Sequence, residues 1–320
     1  MTDTKSSLPI YLFKRAKQTA LENIREAANT TQNGLLCRWS SVNRQLLGAW
    51  QFGNYYLLAG MSGSGKSYIL NMLYRDFCNQ ELNRAYTRKF RILHFCFEMS
   101  AADEIIRMLS STTGMSYAEL MSAEAKLTPE QITAIEESSA LLDNDILHYV
   151  EISGNRNQIM ATVEKFNNRY PEDQLIISID HGILAEYQDE SNEVELMSKL
   201  SKTLIDIRKR YGAMIILIGQ LNAEIENTDR IAPPRNKMYL QYPTKKDIHS
   251  SKAVYRDADY VTVIHAPELL NITEYGPNLY ETQDKVFWHF LKKRKGAPLL
   301  NPLKFAKEFH IGNMREINVM

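Results

Sequence analysis

The plainest chemistry in the sequence lies in eight residues, Gly60-Met61-Ser62-Gly63-Ser64-Gly65-Lys66-Ser67. A glycine, four residues and then Gly-Lys-Ser is the spacing of a phosphate-binding loop. Gly60, Gly63 and Gly65 let the backbone wrap a phosphate closely with its N–H groups turned inward. A helix starting near Lys66 presents the positive end of its dipole to the anion. Lys66 then reaches the β- and γ-phosphates, and the Ser67 hydroxyl ligates Mg²⁺. ATP and Mg²⁺ are the implied cofactors, with Ser62, Gly63, Ser64, Gly65, Lys66 and Ser67 around the phosphates. An ordinary Gly/Ser turn has a similar composition, but here the flanks agree with the motif. Tyr55–Ala59 reads as a buried strand before it, and Tyr68–Leu73 continues as a helix after it.

Hydrolysis needs a second metal anchor and a group that orients the attacking water. Leu175–Ile179 is an apolar run ending in Asp180, which suits a metal-holding carboxylate. A turn aspartate after a strand is the alternative for that residue alone. Glu98 follows the apolar run Phe95-Cys96-Phe97 and is the candidate base. A carboxylate at the carboxyl end of a parallel strand faces the ligand crevice, but an N-cap or surface Glu before the helix at Ala101 is an equal reading. Gln220 ends Ile215–Gly219 and can sense a γ-phosphate, since an amide both donates and accepts.

These groups can meet only if several strands end at one edge. Strands are expected at Tyr55–Ala59, Ile92–Phe97, Leu175–Asp180, Met214–Ile218, Tyr260–His265 and Val286–Leu291. Helices are expected at Lys66–Cys78, Ala101–Ser110, Pro129–Leu142, Arg156–Arg169 and Asn192–Tyr211. Continuous apolar strands alternating with helices predict an α/β fold with a mainly parallel sheet covered on both faces. The tail from Trp288 suits antiparallel edge strands. Residues 222–247 contain Pro233, Pro234 and Pro243 without periodicity, and read as a long functional loop. Ahead of the main domain (34–320), residues 1–33 contain a polar start and an amphipathic helix from Pro9 to about Ala28. That helix packs either on its own domain or on a neighbouring subunit.

The composition sets limits. The chain has 320 residues, is 44% hydrophobic, and its formal charge is zero, which leaves nucleic-acid binding open because clustering of charge decides it. Cys37, Cys78 and Cys96 form no CxxC pair, so neither a disulfide framework nor a zinc site is expected. No secretory signal or bilayer-length apolar run is present. A soluble cytoplasmic protein with no membrane partner is expected.

Together the motifs resemble the RecA-like motor domain of the DnaB-type replicative helicases. The resemblance runs from about residue 34 to about residue 310. Phe97-Glu98-Met99-Ser100 with Arg107-Met108-Leu109 resembles that family's catalytic-glutamate segment. Gly219-Gln220-Leu221-Asn222 is similar to its Ser-Gln-Leu-Asn sensor. Asp257-Ala258-Asp259 before Tyr260-Val261, and Lys292-Lys293-Arg294-Lys295-Gly296, match two further elements. His181-Gly182-Ile183 stands where the family usually has Tyr-Leu-Gln, and Ser250-Ser251-Lys252 where it often has Glu-Ser-Gly.

The resemblance implies an ATP-dependent DNA helicase that moves on single-stranded DNA in replication. It implies a ring of identical subunits, a hexamer in the family, with ATP between neighbours. Lys292 and Arg294 then reach the γ-phosphate of the adjacent subunit, Arg294 as the arginine finger. Arg230, Arg235, Lys237, Lys245 and Lys246 fall in the segment that lines the DNA channel. A primase or a helicase loader is the further partner implied. The family's N-terminal primase-binding domain has no counterpart among these residues, and the first helix resembles the family's linker helix. A short form of this kind suits a phage protein working in the host cytoplasm. A recombination ATPase forming filaments on DNA, and a non-hydrolysing ATP-gated loading scaffold, share the same core.

Overall fold

The computed structural model describes residues 10, 12–30, 32–124, 126–140, 145–249 and 252–317. The polar start at 1–8, Pro9, the end of the helix expected at Pro129–Leu142, and the Ser250-Ser251 pair lie outside them. Strands appear where apolar runs predict them: β1 Tyr55–Gly60, β2 Phe90–Cys96, β4 Gln174–Asp180, β5 Met214–Gln220, β6 Tyr260–His265 and β9 Lys285–Lys293. The sequence did not mark β3 Leu147–Val150, the two-residue pair β7 Glu274–Tyr275 and β8 Tyr280–Glu281, or the tail strands β10 Leu303–Glu308 and β11 Asn313–Glu316 individually.

Among the described residues, nine strands form one sheet in the order β11-β10-β9-β6-β1-β5-β4-β2-β3. The six from β6 to β3 run parallel. The tail strands β9, β10 and β11 add antiparallel, as the sequence led us to expect. Every residue of β1 and β6 is buried, because helices cover both faces. Tyr56 and Leu58 of β1 join one core with helix α3 (Lys66–Cys78), while Tyr55, Leu57 and Ala59 point into the other. That second core is closed by α7 (Arg156–Arg169) and α8 (Glu193–Tyr211). Leu196, Leu200, Leu204 and Ile207 of α8 recur at helical spacing and are fully buried.

Helix ends follow local chemistry. Ser100 caps α4 (Ala101–Thr113) by accepting the Asp103 N–H, and Gly114 ends it in the left-handed conformation. Asn192 caps α8 through the Glu195 N–H. Between them lie α5 (Tyr117–Met121) and α6 (Pro129–Ala140). Near the N-terminus α1 (Phe13–Asn29) precedes the short α2 (Ser40–Gln45). Among the described residues nothing covers the apolar face of α1, with Phe13 at 82% and Ile24 at 63% exposure.

Residues 222–247 depart from the irregular loop expected. They fold into short helical turns at Ala223–Glu226, α9 (Thr228–Ile231) and Arg235–Gln241, before α10 (Lys252–Asp257). Turns this short leave no periodicity to read. Side chains from outside each turn hold them.

Candidate nucleotide site

Five adjacent strands bring the candidate residues to one edge. Gly60 at the end of β1 is opposite Gln220 of β5 and Ile264 of β6. Cys96 of β2 is opposite Asp180 of β4, and Glu98 lies two residues beyond. This is the carboxyl edge of the parallel strands, where such sheets bind ligands.

The loop from Gly60 to Ser67 is closed on itself. Lys66 Nζ donates to Met61 O at 2.7 Å, and Ser64 Oγ donates to the same carbonyl at 2.8 Å. Ser62 and Gly63 are exposed at the tip, while Ser64 is buried. A Cβ at Gly60 would come within 2.6 Å of Ile264 O, which accounts for the glycine. Gly65 has φ +89°, in the left-handed region, and begins α3 as its cap. Burial lowers the pKa of the Lys66 ammonium, while Asp180 and Glu98 pull it the other way. Both carboxylates therefore act on the lysine across the site.

Ser67 Oγ donates to Asp180 Oδ2 at 2.7 Å. Asp180 Oδ1 is buried and has no hydrogen-bond partner among the described residues. Burial raises the Asp180 pKa, with the Ser67 hydrogen bond opposing. A hydroxyl and a carboxylate with a bare oxygen are the hard donors that Mg²⁺ takes, so these residues fit the ion. Glu98 is exposed, and the residue before it, Phe97, donates its N–H to Asp180 O at 2.9 Å. Because Ser100 caps α4, the cap reading of Glu98 does not apply.

Gln220 is tied to the segment that follows it. Its carbonyl accepts the His249 N–H at 2.9 Å, Leu221 bridges to Ile248, and the Asn222 N–H donates to Asp247 O. His181, Gln220 and His249 share a cavity of 20 Å³, the space of about one water.

Two candidates stand elsewhere. Lys292 and Arg294 lie where β9 meets the start of β6, at the opposite edge of the sheet. From Asp259 to Ile264 the strand carries the chain about 16 Å, at the usual rise per residue. Lys292 Nζ donates to the carbonyls of Tyr255, Arg256 and Ala258 at 2.6–2.8 Å, closing the end of α10. Arg294 Nε is 3.2 Å from Asp259 Oδ1 and half exposed. Neither reaches the phosphate loop of its own chain.

The basic residues after Gln220 separate into two groups. Arg230 turns inward, against the expectation of a phosphate contact: its side chain is 16% exposed, and it pairs with the fully buried Asp247. It also donates to Leu240 O and Tyr242 O, so it clamps α9 to the turn at Arg235–Gln241 and to Asp247. A charge committed to a buried partner and two carbonyls is not available to DNA. Arg235 pairs with Glu274 at the surface. Lys237, Lys245 and Lys246 are exposed. Lys245 and Lys246, with Lys252, rim a groove of 960 Å³ floored by Ile248 and Tyr255.

The sequence reading missed an aromatic group at the loop. Phe309, from a short turn in the tail, stacks on Tyr68 at 5.8 Å and 3°. The Arg107 guanidinium sits over the same Tyr68 ring, 5.1 Å from its centroid. An isolated phenylalanine after the last recognisable motif carries no signal of its own.

Residues 34–311 match the family model of the DnaB-like helicase C terminal domain. A "Probable plasmid replicative DNA helicase" of Chlamydia trachomatis serovar L2 is 23% identical over 217 residues, 68% of this chain and 44% of that protein. A "Probable replicative DNA helicase" of Guillardia theta is 23% identical over 219 residues, 67% of this chain and 35% of that protein. The chain thus spans less than half the length of these relatives. Among solved structures, an isolated "ATPase Domain" aligns with TM-score 0.79 at 16% identity, covering 97% of this chain and 100% of that one. "The Structure Of A DnaB-Like Replicative Helicase And Its Interactions With Primase" aligns with TM-score 0.76 at 16% identity, covering 98% of this chain and 69% of that one. The RecA-like fold expected from the sequence is the fold these neighbours share.

Proposed function

The chain belongs to the DnaB-like helicase C-terminal domain family, and from that premise we propose that it is an ATP-driven DNA helicase motor of replication. The observation that carries this reading is the Ser67–Asp180 contact beside the buried Lys66, at an edge that also gathers Glu98 and Gln220. Backbone N–H groups of the loop bind the β- and γ-phosphates. Lys66 moves from Met61 O onto them. Ser67 and Asp180 hold Mg²⁺, which neutralises charge developing on the phosphates when bound. Glu98 orients the attacking water and accepts its proton. Gln220 hydrogen-bonds near the γ-phosphate and reports its loss to the strand-like segment at Asp247–His249.

Subunits assemble as a ring, a hexamer, so that Arg294 reaches the nucleotide of the neighbour. Its position at the far edge of the sheet supports action in trans. Lys292 joins it only by leaving the end of α10. The exposed face of α1 suits a neighbouring subunit. Single-stranded DNA runs along the exposed Lys245 and Lys246, with Lys237 and Arg235 as further contacts, its phosphates neutralised by the cationic groups. A primase or a loader is the further partner. None of the helices among the described residues is long and apolar enough to cross a membrane.

The test is ATP hydrolysis with and without single-stranded DNA, beside a mass measurement with and without ATP. Stimulation by DNA, unwinding of a forked duplex and a ring mass are expected. A rate indifferent to DNA with no unwinding would sink the helicase reading.

A further inference from the structure

Beneath the phosphate loop, a buried polar pair joins α3 and α4, which also meet at Arg75 with Ser111 and at Arg107 over Tyr68. Asn71 lies one turn beyond Ser67 on α3 and is 4% exposed. Glu104 lies in the first turns of α4, six residues after Glu98, and is 2% exposed. Asn71 Nδ2 donates to Glu104 Oε2 at 2.5 Å. Asn71 Oδ1 is buried and has no hydrogen-bond partner among the described residues.

A carboxylate cannot satisfy that second amide atom, because both are acceptors. A carboxylic acid can. Its O–H donates to Asn71 Oδ1 while its other oxygen accepts from Nδ2. The surroundings favour the acid. Burial is the chief reason the Glu104 carboxyl is pushed up to about 7. Asp180 of β4 and Glu98 act in the same direction, and Asn71 and Arg107 oppose. Cys96 of β2, Tyr149 of β3 and Tyr74 of α3 also face it, and none of them is a cation. The guanidinium of Arg107 is placed over Tyr68.

We propose that Glu104 and Asn71 form a two-bond acid–amide pair that locks α4 to α3 and thereby positions Glu98 against the nucleotide held at Lys66 and Ser67. The proposal rests on the ATPase reading above. Both are positioning residues, since neither touches the phosphates or the water. Asn71 moves with Ser67 because they share one helix, about 6 Å apart along its axis. Glu104 moves with Glu98 because Ser100 caps α4 directly behind it. A hydrogen-bonded ring between the two helices fixes rotation as well as distance, which an apolar contact does not.

The test uses two variants. Glu104→Gln keeps both hydrogen bonds as an amide–amide pair and carries no titratable proton. Glu104→Leu keeps the bulk and removes both. Glu104→Gln is expected to retain kcat within about twofold. Glu104→Leu is expected to lower kcat about tenfold or more with the KM for ATP little changed. The protonation is read directly. At about pH 6, infrared difference spectra of parent against Glu104→Gln should contain a protonated-carboxyl C=O band. In thermal melts the parent should lose stability as pH rises. An acid whose folded pKa is raised stabilises fully below its unfolded value and loses that contribution as pH rises through about 7. Glu104→Gln should lack that loss.

Parent-like kcat in Glu104→Leu overturns the positioning role. Absence of the acid band, or equal pH dependence of the melts, overturns the pairing. A parent that hydrolyses no ATP sinks the ATPase reading and the positioning role with it, while the infrared and melting arms still decide whether the pair exists.

Discussion

At the scale of single residues, charge alone did not assign roles; burial did. Lys66, Glu98 and Arg230 are all ionisable groups in the loop from Gly60 to Ser67, at the sheet edge beside it, or in the segment after Gln220. Lys66 is buried yet aimed across a loop built for anions. Lys66→Ala should therefore abolish ATP turnover and weaken nucleotide binding, measured by calorimetry. Glu98→Gln should leave binding intact and lower kcat by about 10²–10⁴, the usual contribution of a general base. Arg230 is different. Arg230→Ala leaves Asp247 buried without its charge partner, at a cost of about 3–5 kcal/mol. A drop in melting stability should be its main effect. Lys246→Ala should leave stability unchanged. It should weaken DNA binding and reduce the slope of log affinity against log salt by about one. Equal effects of the two variants on DNA binding, with no loss of stability in Arg230→Ala, would contradict the assignment.

At the scale of elements, the phosphate loop depends on a distant part of the chain. Gly65 needs a positive φ, and a Cβ there would overlap the Phe309 ring. Gly65→Ala should destabilise the fold and raise the KM for ATP. Adding Phe309→Ala relieves the contact but not the backbone strain, so only part of the loss should return. Full recovery in the double variant, by thermal melting and ATP titration, would place the whole effect in the ring contact. The segment after Gln220 is a second such case. Arg230 ties α9 to the turn at Arg235–Gln241, and the segment Asp247–His249 is held by the backbone of Gln220 to Asn222. Under the proposed sensing role, a change at Gln220 passes through main-chain hydrogen bonds to the segment Asp247–His249, next to Lys245 and Lys246.

At the scale of the whole molecule, the sheet separates the two halves of the proposed active site. Loop and finger stand at opposite edges, about 16 Å apart along β6. Lys66→Ala and Arg294→Ala should each be inactive alone. Mixed together, they should recover measurable ATPase activity, because some interfaces then combine an intact loop with an intact finger. No recovery on mixing, in assemblies that have exchanged subunits, would place Arg294's role within its own chain.

Periodicity and local motif were enough to read much of this protein from its sequence. The strands β1, β4, β5 and β6, the helix α3 and the loop between Gly60 and Ser67 were legible because each is a local pattern with a local cause. An apolar run is a buried strand, and glycine spacing is a loop that must approach an anion. The edge strand β3 was not legible, since a half-buried strand such as Leu-His-Tyr-Val shows no continuous apolar run. Asp180, Glu98 and Gln220 could be named as candidates, but only the parallel register brings their strand ends side by side. The inward turn of Arg230, the capping role of Lys292, the stack of Phe309 on Tyr68 and the pairing of Glu104 with Asn71 were decided by tertiary structure alone. Each joins residues ten or more positions apart in the chain. Whether a polar side chain meets water or a buried partner is set by what folds against it, and no local spacing records that.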